Sequence, residues 1–117
     1  MTIAQFRSLA LSMPEAEEGT HMAHPDFRVK GKIFATLFPR EGKTWGMIKL
    51  KPEQQRAVVK AHPDAFQPVA GGWGKHGATQ IRLDRARVAI LRDAMITAWR
   101  NVAPKPLARE YGLSDEE

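Results

Sequence analysis

The sequence predicts a two-layer α+β domain in which helices cover an antiparallel sheet. Segments near the two ends of the 117-residue chain carry apolar residues at helical spacing, and the region between them contains several runs of β-prone residues. Turns of two to five residues join three of these runs, so their strands must be antiparallel neighbours. The predicted order is approximately α-β-β-β-α-β-α, and residues 1–117 are expected to form a single domain.

The N-terminal half is predicted to contain one helix and a β-meander. The helix is indicated by apolar residues at helical spacing, namely Ile3, Phe6, Leu9, Ala10 and Met13. Thr2 is a suitable N-cap, and Pro14 ends the helix. A short extended piece at 20–24 precedes strands at 27–29, 32–38 and 44–50. Alternation in the strand at 32–38 places residues 33, 35 and 37 on one face and residues 34, 36 and 38 on the other.

The C-terminal half is predicted to contain two helices and one or two strands. The first helix has Pro52 in its first turn and ends at His62. Residues 66–69 are a candidate short strand, and residues 78–83 alternate as a strand does. Asp84 is a suitable N-cap for a last helix, whose apolar stripe ends before Pro104. Residues 105–117 are expected to form a loose tail with at most one turn, near 107–111.

Positive charge is concentrated in the middle of the chain. The 18 Lys and Arg and the 13 Asp and Glu give a net charge of +5. Residues 1–18 carry a net charge of −2 and residues 110–117 one of −4, so residues 19–109 hold 17 basic and 6 acidic residues. This excess of +11 favours polyanionic partners through long-range attraction and counterion release. It equally suits a surface that lysine and arginine keep soluble, so charge alone leaves both interpretations open.

Residue content excludes several classes of protein. The chain has no cysteine, which excludes disulfides, thiolate nucleophiles and cysteine-based zinc sites. Its longest stretch without a formal charge, residues 65–74, is too short for a membrane-spanning helix. No signal peptide is evident at the N-terminus, so a cytoplasmic protein without membrane contact is expected.

No metal, cofactor or catalytic site is predicted. His21 and His24 are close in sequence, but in an extended segment a separation of three places them on opposite faces. No carboxylate stands at a spacing that completes a recognised ligand set, and the GxSxG motif is absent. We therefore expect a protein that is not an enzyme.

A glycine-rich loop at residues 70–77 presents aromatic and basic side chains. Residues 72–77 match the pattern GxGxxG, but that fingerprint needs a helix after it, and here the next segment alternates as a strand. A Walker A loop is excluded as well, because the lysine has no Ser or Thr beside it. Two interpretations stay open. The loop is either a flexible segment that presents Trp73, Lys75 and His76, or a hairpin in which Trp73 folds back to cap the core.

Basic residues at the predicted strand ends form the candidate functional set. Lysines flank the first hairpin turn and end the meander, and other basic residues lie in the glycine-rich loop or on the strand that leaves it. Side chains in such positions can reach phosphates, and a glycine-rich backbone can approach closely and donate N–H groups. The predicted nucleic-acid-binding residues are Lys30, Lys32, Lys49, Lys51, Trp73, Lys75, His76 and Arg82.

Three segments of the chain resemble the MmcQ/YjbR family. They are residues 24–35 (HPDFRVKGKIFA), 73–77 (WGKHG) and 98–105 (AWRNVAPK), and the opening at 11–18 fits the family too. The resemblance covers nearly the whole chain in the right order. It implies a small α+β fold similar to CyaY and the secretion chaperones, and a DNA-binding role with a double-wing motif. Ala78 departs from the larger, often aromatic residue that the family has after the last glycine of the loop.

Three hypotheses about function follow. The leading one is a monomeric, non-enzymatic protein that binds DNA mainly through phosphate contacts, with stacking or groove contacts from Trp73 and His76. One alternative is a module that binds a protein or a small ligand on a concave sheet face where Trp45, Phe34 or Trp73 is exposed. The other is an enzyme centred on His76 and Trp73, which needs a deep pocket with convergent polar groups beside the loop.

Overall fold

A six-stranded antiparallel sheet packs against a layer of helices. The computed structural model describes residues 1–113. The strands are β1 (Ala16–His21), β2 (His24–Val29), β3 (Lys32–Arg40), β4 (Lys43–Lys49), β5 (Phe66–Pro68) and β6 (Ala78–Ile81). The helices are α1 (Ile3–Leu11), α2 (Pro52–Ala61), α3 (Gly72–Lys75), α4 (Val88–Val102) and α5 (Lys105–Glu110). The strand order is β1-β2-β3-β4-β6-β5, and every neighbouring pair is antiparallel. The predicted α+β fold is therefore confirmed.

The hydrophobic core lies between one face of the sheet and the helices. Phe6 and Leu9 of α1 are buried there together with Met95 and Trp99 of α4. The indole Nε1 of Trp99 donates to the carbonyl oxygen of Pro14, 3.0 Å away, and so ties α4 to the segment that follows α1. Helices α1, α2, α4 and α5 pack on this side, and within residues 1–113 the opposite face of the sheet carries none of these four helices. We call it the open face.

The first helix begins as predicted and packs closely on β4. The N–H of Gln5 donates to Thr2 Oγ1 at 3.1 Å, and the Gln5 side chain accepts from the Thr2 N–H at 2.8 Å, which forms a capping box. Gly46 of β4 lies directly under Phe6. A Cβ atom at Gly46 would lie 2.5 Å from Phe6 Cε2, so only glycine allows the ring to stay where it is.

Three two-residue turns of one type connect β1 to β4. Their central residues are Met22-Ala23, Lys30-Gly31 and Glu41-Gly42. All six have positive φ, the type I′ geometry that matches the twist of the flanking strands. The first turn contains no glycine, and the prediction of one extended piece at 20–24 is wrong because the chain reverses there. His21 pairs directly with His24, so the two imidazoles share a face instead of lying on opposite faces.

A bulge in β3 changes which of its side chains face the core. Phe27 of β2 pairs with Ala35 of β3. The next residue, Arg28, pairs with Ile33 and skips Phe34. Phe34 is fully buried in the core, and Ile33 lies on the open face. The predicted faces of these two residues are wrong, because the extra residue of a bulge inverts the alternation before it.

The last long helix begins later than predicted. A 3-10 turn at Leu83–Arg85 separates β6 from α4, whose N-cap is Arg87. Asp84 therefore does not cap the helix. Its carboxylate forms ion pairs with the side chains of Arg82 and Lys43 instead, and this competing interaction is invisible in the local sequence.

Part of the predicted loose tail is a packed helix. Leu107 and Ala108 of α5 are buried in the core, so residues 105–110 contribute to the domain. The N–H of Leu113 donates to the carbonyl of Ala108 at 2.8 Å, which closes the end of this helix. The rest of the predicted tail, residues 114–117, lies outside the described residues.

Candidate functional site

One end of the sheet gathers most of the lysines in the candidate set. β3 starts at this end with Lys32, and the antiparallel β4 ends there with Lys49. Lys51 lies two residues after the end of β4. The loop before β6 brings Lys75 and His76 to the same end, because β6 starts beside Lys49. We call these five residues the basic end.

The glycine loop (residues 69–77) is fixed against β4 and α2. A Cβ atom at Gly74 would lie 1.7 Å from the carbonyl oxygen of Val69. One at Gly77 would lie 1.9 Å from a carbonyl oxygen between β4 and α2, so neither position accepts a side chain. From α2, the buried Gln55 side chain donates through Nε2 to the carbonyls of Gly74 at 3.0 Å and Ala78 at 2.9 Å. These contacts make the loop a platform and not the flexible segment that its glycines suggest.

Trp73 projects from this platform into solvent. Its side chain is 70% exposed, and one side of it borders the open face. The alternative in which Trp73 folds back to cap the core is therefore wrong. Lys75 and His76, which follow it, are exposed as well. A large aromatic side chain held exposed on a fixed backbone is typical of a binding surface.

Two residues of the candidate set are separated from the basic end or already paired. Lys30 Nζ lies 2.8 Å from Glu15 Oε1, and this hydrogen bond raises the pKa of Lys30, with smaller contributions from two further glutamates. Arg82 lies at the opposite end of the sheet, because β6 runs away from the basic end. Its Nε is 3.1 Å from Asp84 Oδ1. The candidate set of eight residues thus loses Lys30 and Arg82 as free cations.

Asp84 is the centre of the small ion-pair cluster at that opposite end. Lys43 Nζ lies 3.5 Å from Asp84 Oδ2, on the other carboxylate oxygen from Arg82. Burial of the carboxyl group alone raises the pKa of Asp84, but the two cations outweigh this effect and the net result is a lowered pKa. The single carboxylate of Asp84 offsets part of the charge of the two cations, whereas no such ion pair is found at the basic end among residues 1–113.

The lysines of the basic end have no acidic partner in the described part of the chain. No carboxylate there lies within 4.0 Å of the Nζ atom of Lys32, Lys49, Lys51 or Lys75. Like charges gathered on one surface without compensation raise the local potential and attract anions. The basic end is therefore a candidate surface for a polyanion.

A cavity of about 300 Å³ opens on the open face beside Trp73. We call it the open-face cavity. Its walls come from the β1–β2 turn, the central strands and the glycine loop. The lining residues are His21, His24, Ile33, Thr36, Phe38, Met47, Lys49, Val69, Trp73 and Ala78. Sequence reasoning missed this cavity. Met47 and Lys49 lie on one side of β4, as the alternation of a strand requires, but the histidine pair and the bulge that adds Ile33 carry no local signal in the sequence.

Elsewhere on the open face, Trp45 and Asp26 are each covered by an arginine side chain. The guanidinium carbon of Arg40 lies 4.4 Å from the ring centroid of Trp45, which is only 6% exposed. Asp26 is fully buried and accepts from Nε and Nη2 of Arg28 at 2.8 and 2.9 Å, and this pairing raises the pKa of Arg28. Trp45 and Phe34, two aromatic residues expected on an exposed sheet face, are both buried.

No group of three or more His, Asp or Glu side chains among residues 1–113 could hold a metal ion. In the same range, no helix is both long and apolar enough to cross a bilayer.

Comparison with known proteins places the chain in a family. Among solved structures, protein DR2400 of Deinococcus radiodurans, a DUF419 domain, aligns with a TM-score of 0.75 over 99% of this chain and 91% of its own, at 21% identity. A protein from Pseudomonas syringae aligns with a TM-score of 0.66 over 84% of this chain and 96% of its own, at 15% identity. Both likenesses concern the fold. No curated protein matches the chain. The sequence profile of the YjbR family matches residues 11–101, and the chain therefore belongs to the YjbR family.

Proposed function

We propose that the protein binds nucleic acid, DNA in particular, as a monomer through the basic end and Trp73. The observation that carries this proposal is the group of four lysines at one end of the sheet with no acidic partner among residues 1–113. Each lysine would contact a phosphate, and the exposed indole of Trp73 would stack on a base.

Phosphate contacts make the proposal quantitative. Phosphates repeat along a strand, so lysines at neighbouring strand ends can engage several at once and release their counterions. Four contacts with duplex DNA predict that affinity falls about 150-fold between about 50 and 200 mM salt. If Lys30 and Arg82 also contacted phosphates, the affinity would fall more steeply with salt. Both already pair with carboxylates, so they are not counted.

Trp73 adds a preference that lysines alone do not give. Stacking of an unpaired base on an aromatic side chain contributes about 1 to 3 kcal/mol, and a base inside a duplex is not available for it. We therefore expect single-stranded DNA to bind at least as tightly as duplex DNA at equal salt. The fixed glycine loop supports this, because the backbone that carries the ring does not have to be ordered when the strand binds.

We propose no chemical reaction for this surface. His76 does not line the open-face cavity, whose polar lining is limited to two histidines, a threonine and Lys49. An active site needs a nucleophile, base or acid that converge on one reacting atom, together with a group that stabilises developing charge. The lining of this cavity favours binding over catalysis.

The test is a titration of labelled DNA, single-stranded and duplex, followed by fluorescence anisotropy across the salt range. The test variant replaces the four lysines Lys32, Lys49, Lys51 and Lys75 with Gln. The matched control replaces four exposed basic residues away from the basic end, Lys60, Arg85, Arg87 and Arg92, so that both variants lose the same charge.

The proposal expects tight, salt-dependent binding by the wild type, a loss of at least a hundredfold in the test variant and a much smaller loss in the control. Equal losses in the two variants would mean that net charge alone attracts DNA. Undetectable binding of either DNA at about 50 mM salt would remove nucleic acid as the partner.

A further inference from the structure

We infer that the open-face cavity is a binding site for a small amphipathic anion, a molecule with a flat apolar body and one carboxylate, sulfonate or phosphate group. This goes beyond the proposed nucleic-acid function, because it concerns a small molecule in a cavity that shares only Lys49 and Trp73 with the proposed nucleic-acid surface. Three observations carry the inference: the apolar walls, the position of Lys49 and the fixed exposure of Trp73.

The walls of the cavity suit an apolar body. Ile33 and Phe38 of β3 and Met47 of β4 form the sheet side, and Val69 and Trp73 of the glycine loop form the opposite side. A volume of about 300 Å³ lies at the lower end of the range of small-molecule sites. An elongated indole wall on one side and branched or thioether side chains on the other favour a flat ring system between them.

Lys49 supplies the charge that the apolar walls lack. It is partly buried, lines the cavity, and has no carboxylate within 4.0 Å in the described part of the chain. Its backbone is held in place, since its carbonyl accepts from Asn101 Nδ2 at 3.0 Å and its strand pairs with Ala78. An unpaired ammonium group beside apolar surface attracts an anion more strongly than one in open water, because the attraction is less screened.

The site is built before any ligand arrives. The loop backbone packs closely at Gly74 and Gly77, and Gln55 fastens it from α2, so the backbone that carries Trp73 does not have to be ordered on binding. On the far side, His21 and His24 face the cavity from a hairpin and add hydrogen-bonding groups at its rim. Preorganised walls lower the entropic cost of binding, which matters most for a small ligand.

Two fluorescent dyes test the inference directly. Anilinonaphthalene sulfonate has an aromatic body and one negative charge, and N-phenylnaphthylamine is its neutral counterpart. We expect saturable one-to-one binding of both, with the sulfonate dye tighter. Lys49→Met should weaken the sulfonate dye about tenfold and change the neutral dye less than twofold, since only the charged contact is removed.

Further variants locate the site. Ala78→Leu fills the cavity, and Trp73→Ala removes one wall, so each should weaken both dyes. Lys60→Met, on the exposed side of α2, is the matched control for Lys49→Met and should change neither dye. Circular dichroism and thermal unfolding check that each variant folds. If Ala78→Leu does not fold, Trp73→Ala alone still tests whether the dyes bind in the cavity. This variant should fold, because Trp73 is exposed and contributes little to the core.

Three results would overturn the inference. One is the absence of saturable binding of either dye to the folded wild type. The second is binding that Trp73→Ala and Ala78→Leu both leave unchanged, which would place the dyes elsewhere. The third is an equal effect of Lys49→Met on the two dyes. The combined variant of Lys32, Lys51 and Lys75 to Gln should keep dye binding, so failure of the nucleic-acid proposal and failure of this one are distinguishable.

Discussion

Gln55 fastens the platform that carries Trp73, and replacing it measures how much the platform contributes to stability. Its side chain is 7% exposed, and Nε2 donates two hydrogen bonds, to the carbonyls of Gly74 at 3.0 Å and Ala78 at 2.9 Å. Gln55→Met keeps nearly the same volume and removes only the two donors. Each lost hydrogen bond costs about 1 kcal/mol, so we expect the free energy of unfolding to fall by about 2 kcal/mol.

The cost does not rise further, because neither carbonyl is left without a partner. The Gly74 oxygen still accepts from the N–H of Gly77 at 3.1 Å, and the Ala78 oxygen still accepts from the N–H of Val69 at 3.0 Å. Gln55→Ala should cost about 1 kcal/mol more than Gln55→Met, since it also removes buried methylene surface.

Urea unfolding followed by circular dichroism measures the loss, and Arg56→Ala, one residue along the same helix and exposed, is the control. Amide hydrogen exchange shows which part of the chain loses stability. If the loop opens locally, the N–H of Val69 and of Gly77 should exchange about thirtyfold faster in Gln55→Met. A Gln55→Met variant within about 0.5 kcal/mol of the wild type would refute the claim that these two hydrogen bonds hold the loop.

Two further predictions concern packing and pH. Gly46→Ala should lower the free energy of unfolding by about 1 to 3 kcal/mol in urea, because its Cβ would meet the Phe6 ring at 2.5 Å, and Phe6→Leu in the same chain should recover part of the loss. An unchanged midpoint would contradict this contact. Asp84 has a lowered pKa beside Arg82 and Lys43, so its ion pairs stabilise the fold above the unfolded pKa near 3.8 and are lost as the pH falls below it. The stability difference between wild type and Asp84→Asn, from urea midpoints at several pH values, should therefore shrink towards acid. A difference that does not change with pH would exclude the ion pairs as its source.

Local sequence patterns predicted most of the fold, because most helices and turns have a signal within a few residues of the chain. The capping residue Thr2, the spacing of the apolar stripe in α4 and the turn at Lys30-Gly31 are all signals within a few residues. The hairpin at Met22-Ala23 has no such signal. Neither residue favours positive φ, and the turn exists because the strands on both sides pair over their full length.

The candidate site was predictable only for residues that are close together in the sequence. Lys49 and Lys51 flank the end of one strand, so their proximity follows from the chain itself. The proximity of Lys75 depends on β6 pairing with β4, and sequence periodicity does not choose strand partners. Because β6 is antiparallel to β4, Arg82 directly after β6 lies at the opposite end of the sheet. The bulge at Phe34 was also not predictable, because no feature of the local sequence indicates it. It places Ile33 in the wall of the open-face cavity.

Lys49 and Trp73 belong both to the proposed nucleic-acid surface and to the open-face cavity, and this sharing makes the two proposals thermodynamically linked. An anion in the cavity would neutralise Lys49 and leave three lysines to contact phosphates, so the salt dependence of DNA binding would become shallower. It would also cover one side of the indole on which a base would stack. Linkage is reciprocal, so DNA at the basic end would weaken the small anion by the same factor. This antagonism requires no conformational change, because both ligands would use the same ammonium group and the same ring on a backbone that Gly74, Gly77 and Gln55 already hold in place.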